Sequence, residues 1–294
     1  MRAKIVTSIY SDLYGTDLGG RPSRGGHYKH SLKSLLKMTD ADFVCYTSER
    51  EIDDLKDFYY VQNNIPETQL QFKICDLYNI GLSEKINKLK NVDEVKNSDR
   101  CVEIQYSKFT WSLDELNIGD YDVIYWFDAG LSHCGLFPDK YMSGNQGYWE
   151  TYYETKLFNN NFLKNLINFT GDKIILCAKE NLNNYWSGTV PNNYYNNHCM
   201  DKHIIGGFFG GKSKNMENYC NIFINYANSL LDNEDVLYFE EHIMSLIYYN
   251  HPELFISKFF DIWWHEDAKV PGIDMEEYTK TRKSFYKIIE ELNV

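Results

Sequence analysis

What the chain lacks narrows it first. Its 294 residues hold seven cysteines, an odd number, with no C-x-x-C pair among them. Several sit inside apolar runs, such as Val44-Cys45-Tyr46 and Leu176-Cys177-Ala178. That pattern argues against a disulfide framework or a zinc ribbon and predicts buried, reduced thiols in a cytoplasmic protein. No run of 18 apolar residues occurs, so no membrane-spanning helix is expected, and the apolar part of "MRAKIVTSIYSDLYG" is too short for a signal peptide. An excess of basic residues is also missing. Thirty Lys and Arg stand against 42 Asp and Glu, a formal net charge of −12. The counterion release that drives general nucleic-acid binding therefore has no broad basic surface to work with.

What is present is aromatic and alternating. Aromatic residues make up 16 % of the chain, with 24 Tyr, which suits both a core and a cleft for polar ligands. Apolar runs predict strands at Ala3–Tyr10, Asp42–Tyr46, Gln69–Cys75, Tyr121–Phe127, Lys173–Ala178, 204–211 and just after Pro252. Helical spacing predicts helices over His27–Met38, from Ser48 as N-cap through Tyr59, and over Leu82–Asn97 and Val102–Leu116. Further helices are expected near 149–166, over Ser213–Leu230, 236–250 and 274–292. Strands alternating with helices indicate an α/β fold with a mixed, mostly parallel sheet flanked by helices, plus a C-terminal helical extension. With no repeat or linker, residues 1–294 read as one domain.

Tyr121–Phe127 is apolar on both faces, as a central strand of such a sheet should be. It ends on Asp128 in "VIYWFDAGLSH". Ligands of open α/β sheets bind beyond the carboxyl ends of the strands, so Asp128 is a candidate ligand for Mg²⁺ or Mn²⁺ or for the substrate. Ala129 and Gly130 would let a phosphate or sugar approach the backbone. An Asx-turn or helix cap is the plainer alternative.

The loop "SDLYGTDLGGRPSRGGH" carries Arg21 and Arg24 with Gly25 and Gly26 just before a helix, a composition suited to a diphosphate. This loop follows neither the dinucleotide nor the phosphate-loop glycine pattern. In "HIIGGFFGGK", glycines inside a strand mark either close backbone packing or a place where a sugar lies against Gly206 and Gly207. Glu240 heads the apolar stripe Ile243, Met244, Ile247, and Glu241 projects beside it; each is a candidate base or anchor, or simply a partner of the helix dipole. His265 with Asp267 in "FFDIWWHED" could complete a metal site.

Taken together, "KIVTSIY" with its Arg-bearing loop, "YDVIYWFDAGLSH", "IIGGFFGGK" and "EEHIMSLIYYNHPELF" resemble the HtrL/YibB-like (WlaTC-like) family, whose members look like glycosyltransferases of the GT-A type. The resemblance runs from residue 4 to about 257. It implies a GT-A-like (Rossmann-like) fold, a nucleotide-binding half over about 1–130 and an acceptor half over about 131–270. It further implies a nucleotide-sugar donor, of UDP type, bound by Thr7, Tyr10, Arg21, Arg24, Lys108, Asp128, Gly130, Gly206 and Gly207. Lys108 and Arg24 would neutralise the diphosphate. Asp128 stands where such enzymes carry the first Asp of Asp-x-Asp, and Gly130 replaces the second. A Mn²⁺ or Mg²⁺ cofactor would then need another ligand, such as His265. Glu240 or Glu241 falls where a catalytic base or acceptor anchor lies.

The activity so implied is transfer of a hexosyl or pentosyl group to a hydroxyl of a cell-surface saccharide of lipopolysaccharide or O-antigen type. Two alternatives stand beside it. One is a phage-type enzyme that glycosylates hydroxymethylated DNA bases in the host cytoplasm, a reading prompted by the Asn-, Lys- and Tyr-rich composition. The other is a non-catalytic sugar- or nucleotide-binding module.

Overall fold

The computed structural model describes residues 1–10, 24–77, 81–90, 101–129, 158–180, 202–233 and 237–260. Arg21, Gly130, His265, Asp267 and the helix expected over 274–292 lie outside them. Arg24 is the first residue of a helix, and its side chain is likewise outside the description.

Seven strands are described: β1 (Ala3–Ile9), β2 (Ala41–Thr47), β3 (Leu70–Ile74), β4 (Val123–Phe127), β5 (Ile174–Glu180), β6 (Lys202–Lys212) and β7 (Phe255–Phe260). They form one sheet in the order β3-β2-β1-β4-β6-β5-β7. Every pairing is parallel except those of β6, which runs antiparallel to both β4 and β5. The mixed, mostly parallel sheet flanked by helices is thus the one expected. Seven α-helices are described with it: α1 (Arg24–Leu35), α2 (Ile52–Lys56), α3 (Ser83–Lys90), α4 (Cys101–Ile118), α5 (Asn160–Thr170), α6 (Ser213–Asn233) and α7 (Glu240–Asn250). No described helix is long and apolar enough to cross a membrane.

Period-2 alternation divides the sheet's side chains between two cores. Ile5, Phe43, Tyr125 and Phe127 pack with Leu32 and Leu35 of α1 and Phe162 and Leu166 of α5. Val6, Val44, Ile124, Trp126 and Phe209 pack with Phe109 of α4, Phe223 of α6 and Met244 of α7. In the second core Phe109 stacks on Phe209 with centroids 4.9 Å apart. Both faces of β4 are therefore buried, which explains its unbroken apolar run.

One expected helix changes pitch. After α2 the chain makes a π-helical turn over Asp57–Gln62 instead of continuing as an α-helix through Tyr59. The wide turn lets two successive tyrosines find separate anchors: the Tyr59 hydroxyl donates to the Lys29 carbonyl at 2.8 Å and that of Tyr60 to the Leu70 carbonyl at 2.7 Å. Ser48 does not cap the helix directly; its hydroxyl donates to the carboxylate of Glu51, the residue at the N-cap.

A buried charge cluster joins β1, β2, β3 and α4. The Glu115 carboxylate takes Lys4 at 3.4 Å, Lys73, and the Tyr46 hydroxyl at 2.8 Å. Burial pulls the Lys4 pKa down, and Glu115 opposes that shift.

Candidate active site

The order β3-β2-β1-β4 reverses direction between β1 and β4, and crevices beyond such a reversal are where open α/β sheets receive ligands. Asp128 sits there. Strand alternation puts its side chain on the face of Ile124 and Trp126, toward α4 and α7. Its backbone N–H donates to the Gly207 carbonyl at 2.8 Å, so the β4–β6 ladder carries past the end of β4.

One carboxylate oxygen of Asp128 is fixed twice. Its Oδ1 accepts from the Trp126 indole Nε1 at 2.6 Å and lies 3.1 Å from Lys108 Nζ. The other oxygen has no partner among the described residues, and the side chain keeps 24 % of its surface exposed. The carboxylate is thus held by one atom and presents the other.

Lys108 comes from the middle of α4 and is 5 % exposed. Besides Asp128, its ammonium donates to Glu240 Oε1 at 2.9 Å and to the Gly206 carbonyl at 3.0 Å, and it lies 5.5 Å from the Trp126 ring centroid. Burial disfavours its charge, but Asp128 and Glu240 outweigh that and hold its pKa above the usual lysine range.

Glu240 and Glu241 open α7. Glu240 faces inward ahead of the buried Ile243, Met244 and Ile247, as the stripe predicts, and is only 4 % exposed. Its Oε2 is buried without a hydrogen-bond partner among the described residues. Burial raises its pKa to about 7; Lys108 opposes the rise, while Glu241 and Asp128 add to it. The physical reason is that one ammonium serves two carboxylates. Glu240 is the enclosed one of the two, so burial leaves it to take up a proton near neutrality. Glu241 lies partly exposed, and its Oε1 accepts from the Gly206 N–H at 3.2 Å.

Gly206 joins these groups. The β5–β6 register shifts between Leu176 and Cys177, where Leu176 pairs with Phe209 and Cys177 with Ile205, so 206–208 bulge from that ladder. The amides that β6 turns toward α7 find acceptors on the helix: Gly206 N–H on Glu241, and Ile204 N–H on the Ser245 hydroxyl at 3.1 Å. A Cβ on Gly206 would stand 2.3 Å from Glu240 Oε1. The space left by its missing side chain is therefore filled by a carboxylate of the protein itself. Gly210 and Gly211 serve backbone packing, because added Cβ atoms would meet the Ile124 carbonyl at 2.5 Å and the Lys173 carbonyl at 2.4 Å.

Of the other expected site residues, Thr7 is buried in β1 with its hydroxyl unpartnered among the described residues. Tyr10 is buried at the end of β1, donates to the Cys75 carbonyl at 3.0 Å and stacks on Trp111. Neither touches the Asp128 group through any described hydrogen bond. Gly207 enters it only through its carbonyl. Trp126, the second anchor of Asp128, was not anticipated. The available signal was its place two residues before Asp128 on the same strand face.

The string Gly206–Ser213, "GGFFGGKS", also spells the phosphate-loop pattern, and the structure rejects that reading. These residues run as strand into α6, Lys212 pairs with Val123 at the far end of β4 from Asp128, and its ammonium binds Asp172. A phosphate loop needs a turn between strand and helix with amides free for the phosphates.

As for a divalent cation, no group of three or more His, Cys, Asp or Glu among the described residues is arranged to hold one. The presented oxygen of Asp128 nonetheless fits the usual mode of Mg²⁺ and Mn²⁺, one or two carboxylates completed by substrate phosphates and water.

No family model matches the sequence, and no curated protein matches it. Solved structures do. Mouse xyloside xylosyltransferase 1 in its apo form is 12 % identical over 88 % of this chain and 85 % of its own, with a TM-score of 0.48. Core-mannan synthase A of Aspergillus fumigatus, in a Mn/GDP form, is 9 % identical over 89 % and 73 %, with a TM-score of 0.47. The 4-diphosphocytidyl-2C-methyl-D-erythritol synthase of Anaerococcus prevotii is 10 % identical over 100 % and 94 %, with a TM-score of 0.39. The chemistry of the site has to be read from its own side chains.

Proposed function

We propose that this chain is a glycosyltransferase that moves one sugar from a nucleotide-diphosphate donor to a hydroxyl acceptor. The observation that carries the reading is Asp128: a carboxylate at the strand-order reversal, pinned through Oδ1 and open at its other oxygen. The resemblance of the sequence to GT-A-type enzymes supports the same assignment.

In this reading the open oxygen of Asp128 would be the protein's ligand for Mn²⁺ or Mg²⁺ beside the donor diphosphate. When bound there, such a cation offsets the negative charge that grows on the departing phosphate. Glu241 takes the acceptor proton. The Gly206 amide orients its Oε1, it is the more exposed of the two glutamates, and its other oxygen has no partner among the described residues. Glu240 is less suited to that role, since one oxygen serves Lys108 and the side chain is enclosed. The acceptor oxygen then bonds to the anomeric carbon, the bond from that carbon to phosphate breaks, and its electron pair leaves on the nucleoside diphosphate. The proton passes to Glu241.

We assign UDP-sugars as donors and a cell-surface saccharide as acceptor, on the same resemblance. The net charge of −12 favours a saccharide over the hydroxymethylated DNA base.

A thermal-shift panel of nucleotide sugars, with and without Mn²⁺, tests the proposal, because a ligand that binds only the native state raises the transition. A UDP-sugar is expected to raise it and to yield UDP with an acceptor saccharide. Asp128→Asn should abolish both effects while the protein stays folded. If no nucleotide sugar shifts the wild type, or if Asp128→Asn responds as the wild type does, the assignment fails. Turnover that releases pyrophosphate would mark a nucleotidyltransferase instead.

A further inference from the structure

We propose that Lys108 is a positioning residue. It holds Asp128 Oδ1, Glu240 Oε1 and the Gly206 carbonyl in one fixed arrangement and does not itself touch the donor. This departs from the role that the sequence resemblance gives it, neutralising the diphosphate.

An ammonium has three N–H donors, and those of Lys108 already have three acceptors within 3.1 Å, from three different elements. Reaching a phosphate would mean breaking one of these contacts and leaving a buried carboxylate or carbonyl unpaired. Its direction is also set. The side chain runs from α4 past the Trp126 ring into the junction of β4, β6 and α7, where almost none of its surface remains open. The neighbours are fitted to it. Glu240 can stand beside Lys108 only because residue 206 has no side chain. Trp126 and Lys108 converge on the same Asp128 oxygen, which fixes the direction in which the other one faces.

The inference rests on the glycosyltransferase reading only for what Asp128 receives; the restraint on Asp128 can be tested without any nucleotide. Two measurements do so. In the first, the native wild-type protein is treated with acetic anhydride and mapped by mass spectrometry, with and without UDP and Mn²⁺. Lys108 is expected to stay unmodified in both states while exposed lysines such as Lys212 react. Modification of Lys108 in the free protein, with or without protection by UDP, overturns the proposal.

In the second, the indole N–H of Trp126, identified by its loss in Trp126→Phe, is followed by NMR in the variant Lys108→Met/Glu240→Gln, which removes the ammonium together with the buried carboxyl group it contacts. Freed of one restraint, the Asp128 carboxylate should turn, and the indole proton should shift and exchange with solvent roughly tenfold faster, the scale of one hydrogen bond to a charged group. An unchanged indole resonance and exchange rate overturns the proposal. If the double variant does not fold, the labelling experiment still decides. If UDP binds nowhere, the assigned function fails, while labelling of the free protein and the indole measurement still report on Lys108.

Discussion

Replacing Glu240 with Gln should flatten part of the protein's response to pH. Glu240 is enclosed, and its pKa in the native state is raised from 4.5 to about 7. Between those values the native protein holds a proton that the unfolded chain has lost. The sign follows: stability contributed by this group is fully present below pH 4.5, declines as pH rises, and is gone above about 7. A shift of that size corresponds to about 3 kcal/mol. Glutamine resembles the protonated acid and cannot lose a proton, so the variant lacks this decline. Urea titrations of both proteins from pH 4.5 to 8 give the difference directly, since all other titrating groups are shared. Relative to wild type, the variant should gain about 3 kcal/mol across that range, or roughly 5 °C in thermal midpoint for a chain of this size. Lys108, Asp128 and Glu241, which face the same group, remain in both proteins. Parallel pH profiles would mean that Glu240 is ionised throughout and that the account of two carboxylates sharing one ammonium is wrong.

Gly206→Ala should destabilise the fold by about 1–3 kcal/mol, because the new methyl lands on the Glu240 carboxylate. Adding Glu240→Ala should recover part of that loss, and a chemical-denaturation double-mutant cycle measures the coupling. Glu115→Ala leaves the buried Lys4 without its counter-charge and should cost about 3–5 kcal/mol in the same titration, with no effect on ligand-induced shifts at Asp128.

The sheet was largely legible because its periodicity is strong. β4 announced itself through five apolar residues with no polar face, and Asp128 stood out because it ended that run. Glu240 was legible as the head of a stripe that proved buried. Less could be read where the cause lies across the sheet. Nothing in "HIIGGFFGGK" distinguishes a glycine that makes room for a sugar from one that makes room for a glutamate 34 residues later. Lys108 entered the sequence reading only through the family resemblance; the residues themselves mark it as a lone lysine between Tyr106, Phe109 and Trp111, all buried, on a helix whose polar residues Ser107, Ser112 and Glu115 are buried as well. The partner of that lysine, however, depends on where α7 docks. The π-helical turn was hidden for a similar reason, since it answers to hydroxyl anchors on α1 and β3.

The wide chain separation within the Lys108 junction bears on how the protein comes into being. Lys108 meets a carbonyl 98 positions downstream and a carboxylate 132 positions downstream. A ribosome-bound fragment that ends before β6 has made Lys108, Trp126 and Asp128 but neither the Gly206 carbonyl nor Glu240. Closing so large a loop is slow relative to local pairing. The Lys108 junction should therefore close late in synthesis, after α7 has cleared the exit tunnel.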